Sequence, residues 1–578
     1  MPVKKRYPVP SDIEIAQEAE LLPITEVAKK AGILDEELEP YGKYMAKIDY
    51  AKVLERTKDR PNGKFVTVTA ITPTPLGEGK TVTAFGLGQA LALKGIKVIN
   101  TFREPSKGPT FGIKGGAAGG GYSQGLPMEN INLNFTGDIH ACETAQNLCA
   151  AAIDAHIFHG NQLRLDPENI TWTYCQDLNS RALREVVVGL GGKTVGGYPR
   201  RTNFDITVAT ETAAIIALTT GLKDLRERLG RIVVGYTYDN KPVTAEDLKV
   251  AGAMCALLLD AIKPNLVQST EGHPMICHGF PFANVAHGNN SNMANMVALK
   301  LADVVVTESG FGADCGFVKL VDVGCRQSGV KVDAAVIVAS IRALKQHGGA
   351  FHLRPGMPYS RVKEAAETEN LPALEKGCEN LKRNIEIAKE HGVKAIVAIN
   401  RFTTDTDKEV ELVRQKALEF GADGVAVSEA WAKGGEGALE LADAVLKAIE
   451  TPSDMKFTFP DDIPLEEKIR SVATKVHLAD DIELAPPAKR KLQLFQELGF
   501  GWLSVNMAKT HLSLSHDPDW VGVPRNYKMP IRDVRASVGA GFVYPICGAM
   551  MTMPGLPSRP AFMDVDVDVE TGKIKGLF

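Results

Sequence analysis

A mixed α/β fold built on a parallel sheet is what this sequence predicts, and three observations predict it. Strand-length apolar runs alternate with helix-length segments along most of the chain. Several of those runs, Lys64–Ile71, Ile96–Phe102, Ala302–Glu308 and Ala334–Ala339, are mostly apolar, as expected of buried parallel strands. At 578 residues the chain also exceeds the roughly 250–300 that one core can serve, so several domains are expected.

In chain order, Asp12–Tyr50 reads as helical, with Ile13, Ala16, Leu21, Ile24, Val27 and Ala28 near helical spacing. Lys64–Ile71 is a buried strand. A Pro/Gly turn follows, then a small-residue helix over Thr81–Lys94 that stops at Gly95, then the strand Ile96–Phe102. Those pieces form one βαβ unit with the right-handed crossover such units adopt. Gly108–Gly125 is a glycine-rich loop, and Arg231–Tyr238 runs into a turn at Asp239–Pro242, the pattern of a hairpin. Parallel-type strands return at Ala302–Glu308 and Ala334–Ala339. The first domain is therefore expected to be discontinuous, 1–118 and 292–370, around an inserted α/β domain at 119–291. A third α/β domain, 371–578, carries strand Lys394–Asn400, helix Asp407–Phe420, strand Gly424–Ser428 and helix Gly437–Ile449. In the tail, Asp564, Asp566 and Asp568 alternate with apolar residues, which reads as an exposed strand face without metal chemistry.

Composition narrows the function classes. Acidic residues number 70 and basic ones 66, for a net charge of −4, and no basic stripe of a nucleic-acid binder is present. The nine cysteines are scattered without a C-x-x-C pair, as expected of core thiols in a reducing compartment. The amino terminus has no apolar run like a signal peptide, and no stretch reaches the roughly 18 apolar residues of a membrane span. A cytoplasmic protein with no membrane or nucleic-acid partner is expected.

The most informative segment is Thr74-Pro75-Leu76-Gly77-Glu78-Gly79-Lys80-Thr81, set between a predicted strand and a predicted helix. A phosphate loop needs backbone N–H groups converging on one anion, which glycine permits. Lys80 would meet the outer phosphates of ATP, Thr81 would offer its hydroxyl to Mg²⁺, and the helix start supplies a favourable field. Thr74 stands where the strict pattern has its first glycine, so a tight turn with a surface lysine stays open as the plain alternative. With this loop, the first domain reads as P-loop NTPase-like. Arg103 follows the next strand and leaves the sheet at the same edge, where ligands of open α/β sheets bind. It could clamp a carboxylate or phosphate, or simply pair with Glu104.

The run Gly112-Ile-Lys-Gly-Gly-Ala-Ala-Gly-Gly-Gly-Tyr122 resembles the glycine-rich signature of formate–tetrahydrofolate ligases, and Val338-Ala-Ser-Ile-Arg-Ala-Leu-Lys-Gln-His-Gly-Gly349 resembles their second signature. Thr72–Thr81, Arg103–Ser106, Phe135–His140, Gly279–Gly288, Phe311–Asp314, Trp431–Gly435, Met551–Leu556 and Gly576–Phe578 match in the same order. The resemblance implies ATP-dependent joining of formate to tetrahydrofolate through formyl phosphate, with Lys80 and Arg103 on the phosphates and Phe311 beside the intermediate. It places the pterin between Phe402 and Trp431, aromatics that leave neighbouring strands at the carboxyl edge. It further implies stimulation by a monovalent cation (K⁺ or NH₄⁺), a homotetramer, and the monofunctional form, since no room remains for appended domains. Asn130 and Asn134 depart from the family's common aspartate and histidine. The rival readings are another ATP-dependent carboxylate-activating synthetase, which would lack the Phe402–Trp431 slot, and a partitioning-type ATPase, whose second loop lysine is absent here.

Overall fold

The structure, a computed structural model, describes residues 3–114, 118–351, 359–548 and 550–577. Its centre is a 12-stranded sheet. The ten strands along its main path are, in chain order, β1 (Leu38–Tyr41), β2 (Met45–Ile48), β3 (Lys64–Ala70), β4 (Val98–Phe102), β5 (Asn265–Ser269), β6 (Pro274–Cys277), β7 (Val304–Glu308), β8 (Ala334–Ala339), β9 (Lys394–Asn400) and β10 (Gly424–Ser428). Their order across the sheet is β1-β2-β5-β6-β4-β7-β3-β8-β9-β10. From β6 to β10 every pairing is parallel, and the other three are antiparallel.

The strands run apolar on both faces because both faces are covered. Along β8, Ala335, Ile337 and Ala339 enter one core, while Ala334, Val336 and Val338 enter the core on the opposite side. The helix Lys80–Leu93, rich in small residues and largely buried, belongs to the second of these cores. A third core, from Ile139 to Met553, gathers most of the chain between β4 and β5.

The βαβ expectation holds, with β7 inserted between β3 and β4. The returning strands near 302 and 334 do flank β3. Val233–Thr237 and Pro242–Thr244 form the expected antiparallel hairpin. In the tail, Asp566–Val567 pairs with Ile574–Lys575 as an exposed ribbon, and Asp568 accepts the backbone N–H groups of Glu570 and Thr571.

Two expectations need correcting. Asp12–Tyr50 is not one helical segment but helices at Asp12–Glu18 and Ile24–Ala31 followed by the β1–β2 hairpin. Pro23 restarts the helix, Gly32 ends it at a left-handed φ of 79°, and Gly42 at 72° makes the turn into β2. The other concerns β9 and β10, assigned by sequence to a third region. They continue the central sheet through β8 and do not begin a new one. An apolar strand such as Lys394–Asn400 needs cover on both faces, and extending the large sheet supplies it.

Candidate active site at the carboxyl edge

Adjacent parallel strands deliver the expected site residues to one edge. Reading across the sheet, β4 ends before Arg103, β7 before Phe311, β3 before the 71–79 loop, β9 before Phe402 and β10 before Trp431. Between β4 and β10, only β8 was assigned no site residue from sequence.

The glycines set the shape of the 74–81 loop. The Gly77 N–H donates to the Thr74 carbonyl at 3.2 Å, and Gly77 and Gly79 both take left-handed φ, 76° and 77°. Gly79 then starts the helix at Lys80, whose first-turn N–H groups have no partner within the helix. A side chain at Gly79 is excluded twice, by its φ and because a Cβ would overlap the Asn400 amide. Asn400 in turn donates to the Glu78 carbonyl at 2.9 Å, which ties β9 to the loop. Pro75 is exposed, and Leu76 packs on Phe351, Val362 and Ala366.

The Glu78 side chain is buried, accepting the Thr74 N–H at 2.6 Å, and lies 4.0 Å from the Lys80 ammonium. Burial pushes its carboxyl above the ordinary range, against the opposing pull of Lys80 and Thr74. Lys80 itself keeps 17% of its side chain exposed.

Sequence reasoning missed Glu308, the last residue of β7. It accepts the Thr81 hydroxyl at 2.8 Å with one oxygen and stands 4.0 Å from the Arg103 guanidinium with the other. Arg103 therefore faces Glu308 and the Pro281 carbonyl, not Glu104. The available signal was a carboxylate closing the all-apolar run Val304–Val306 at a strand's carboxyl end. The buried His287 nearby is held neutral, its imidazole pushed down to about 3 by burial first and Arg103 second.

Phe311 has a left-handed φ of 65°, unusual for a bulky residue. Such a conformation costs on the order of 1–3 kcal/mol and persists only where its surroundings hold it. His511 does so, its ring stacked on Phe311 at 4.1 Å and 17°. This histidine lies 200 residues downstream and carries no sequence signal of its role.

Trp431 sits on the short helix Ala430–Lys433, 44% exposed, and is not part of the core. Its carbonyl accepts the Tyr122 N–H at 2.9 Å. Gly121, at a φ of 55°, passes so close that a Cβ would overlap that carbonyl. The end of the glycine-rich signature is thus a packed platform for Trp431, while Gly115, Gly116 and Ala117 lie outside the described residues. Phe402 and Trp431 make no ring contact with each other among the described residues. The face of Phe402 is instead covered by the Arg342 guanidinium, 3.6 Å from the ring centre.

The formate–tetrahydrofolate ligase profile matches residues 10–578. The chain belongs to the formate–tetrahydrofolate ligase family. It is a ligase. Formate–tetrahydrofolate ligase of Desulforamulus reducens is 58% identical over 570 residues, covering 99% of this chain and all of that protein. Those of Roseiflexus castenholzii and Saccharopolyspora erythraea are 54% and 50% identical, each covering 98% of this chain and all of the relative. No helix among the described residues is long and apolar enough to cross a membrane.

Proposed function

We propose that the chain uses ATP to join formate to tetrahydrofolate, giving 10-formyltetrahydrofolate, ADP and phosphate by way of formyl phosphate. The observation that carries this reading is the order of groups along one sheet edge: a guanidinium, a phosphate loop and two aromatics on neighbouring strands. A carboxylate-activating synthetase acting on another amine would have no use for the aromatic end.

In this reading a formate oxygen attacks the outer phosphorus of ATP, and the bond to ADP breaks. Phosphorylation turns a poor leaving group into a good one. The folate N10 then attacks the formyl carbon, a tetrahedral intermediate forms, phosphate departs with its electron pair, and N10 loses its proton. Lys80 and Arg103 stabilise charge on the transferring group, and the loop fixes its position. Phe311 borders the formyl phosphate. A hydroxyl and a carboxylate, Thr81 and Glu308, are oxygen donors of the kind that suit Mg²⁺ carried by a nucleotide. Bound there, the ion would neutralise phosphate charge.

The intermediate is tested with ¹⁸O-formate: one labelled oxygen should appear in the released phosphate. Unlabelled phosphate would sink the formyl phosphate step. The pterin slot is tested with Trp431→Ala. Because the ring is half exposed, the variant should fold normally. Losing one aromatic wall is worth roughly 0.5–1.5 kcal/mol beyond area burial, so tetrahydrofolate affinity should fall up to about tenfold, with ATP affinity nearly unchanged. Folate quenching of tryptophan emission should shrink in parallel. Unchanged folate affinity in a folded variant would move the slot elsewhere.

A further inference from the structure

The contact between Arg342 and Phe402 belongs to no step of the reaction described above, yet it joins the two ends of the site. Arg342 lies in the helix Ile341–His347, which begins directly after β8, the strand between the phosphate loop's strand and that of Phe402. Its guanidinium carbon stands over the Phe402 ring, 3.6 Å from the centre, and its Nη2 reaches to 3.5 Å from the Gly77 carbonyl of the loop. The same helix holds the loop at its other end, where His347 Nε2 meets the Thr72 carbonyl at 2.8 Å. A second link runs beside it, from the Asn400 amide to the Glu78 carbonyl, two residues before Phe402. The ring is thus attached to the loop from two directions, and Arg342 is the attachment that touches the ring itself.

We propose that Arg342 is a positioning residue that couples occupancy of the phosphate loop to the setting of the Phe402 wall. Nucleotide binding fixes the backbone of residues 77–79. Through Arg342 that fixed geometry holds the Phe402 ring in the plane a pterin stacks on, so each substrate finds the other's site already ordered. A guanidinium is suited to the task because it offers a flat face to a ring and an in-plane N–H to a carbonyl at once, which an ammonium does not. This inference rests on the reading of Phe402 as a folate wall.

Isothermal titration measures it: the dissociation constant of tetrahydrofolate with and without saturating Mg²⁺ and a non-hydrolysable ATP analogue, and the reciprocal pair. In the wild-type protein the nucleotide should tighten folate by about fivefold or more, and folate should tighten nucleotide by the same factor. In Arg342→Leu that factor should fall to near one, while nucleotide affinity without folate changes less than about threefold. A merely structural role would weaken both affinities and leave their ratio alone. Arg342→Lys keeps the charge and loses the planar face, and it should also lose most of the coupling, which serves if leucine compromises folding. Coupling retained in both variants overturns the proposal, as does its absence in the wild type. Tighter folate binding by Arg342→Leu also overturns it, since the guanidinium would then occupy the face the pterin needs. Unchanged folate affinity in Phe402→Ala overturns the wall and this inference with it. A folate effect of Phe402→Ala together with intact coupling in the Arg342 variants overturns this inference alone.

Discussion

Lys80→Ala is expected to lower the ligation rate by about a hundredfold or more while the protein stays folded. Removing one donor aimed at developing charge costs roughly 2.7–4 kcal/mol of barrier stabilisation in comparable sites. The ammonium makes only a long ion pair, with Glu78 at 4.0 Å, and its side chain is partly exposed, so its loss should leave the protein folded. Arg103→Ala should behave alike, since its guanidinium stands 4.0 Å from Glu308 and supports no core packing. The control is thermal stability, and near-normal turnover in either variant would refute the assignment. Lys80→Ala carries one further signature. Burial already raises the Glu78 carboxyl, and deleting the neighbouring ammonium raises it more. The folded state then holds a proton more readily than the unfolded chain. The variant's stability relative to wild type should therefore fall as pH rises through the raised range of the wild-type Glu78 carboxyl, above its ordinary value of 4.5.

The strand–turn–helix at Thr74–Thr81 was legible in the sequence because its information is local. Gly-Lys-Thr between an apolar run and a small-residue helix fixes the turn, the helix start and the lysine together. The placement of Arg103, Phe402 and Trp431 at the carboxyl edge was legible for a related reason, since each follows a strand whose carboxyl end is known once the strands are parallel. Glu308 was not, because its meaning depends on Thr81, 227 positions away, and no spacing rule joins them. Arg342 is the same case, separated from Gly77 by 265 positions. The misread segment Asp12–Tyr50 fails differently. Its apolar residues fit helical spacing, but Pro23, Gly32 and Gly42 decide where helix may persist, and burial of Met45–Ile48 beside β5 draws the remainder into the sheet. Strands β9 and β10 show that composition identifies a strand without identifying its sheet.

Lys345→Ala should cost about 3–5 kcal/mol of stability. Lys345 and Glu409 form an ion pair at 2.9 Å with side chains only 1% and 0% exposed. The ammonium also donates to the Thr368 carbonyl at 2.9 Å, and the carboxylate accepts the Asn370 and Thr406 N–H groups, so both charges are multiply held. Deleting the lysine leaves a buried carboxylate with its backbone donors but no counter-charge, in a place water does not reach. Part of the effect should spread, because Glu409 caps the helix Asp407–Glu419 and Lys345 belongs to the helix that carries Arg342. The measurement is the denaturant midpoint at unchanged m-value. The decisive comparison is Lys345→Met with Glu409→Leu. Removing both charges avoids stranding either one, so the double variant should recover a large part of the loss shown by Lys345→Ala. If the double variant is no more stable than Lys345→Ala, the destabilisation comes from lost packing and capping, and the stranded charge is not its cause.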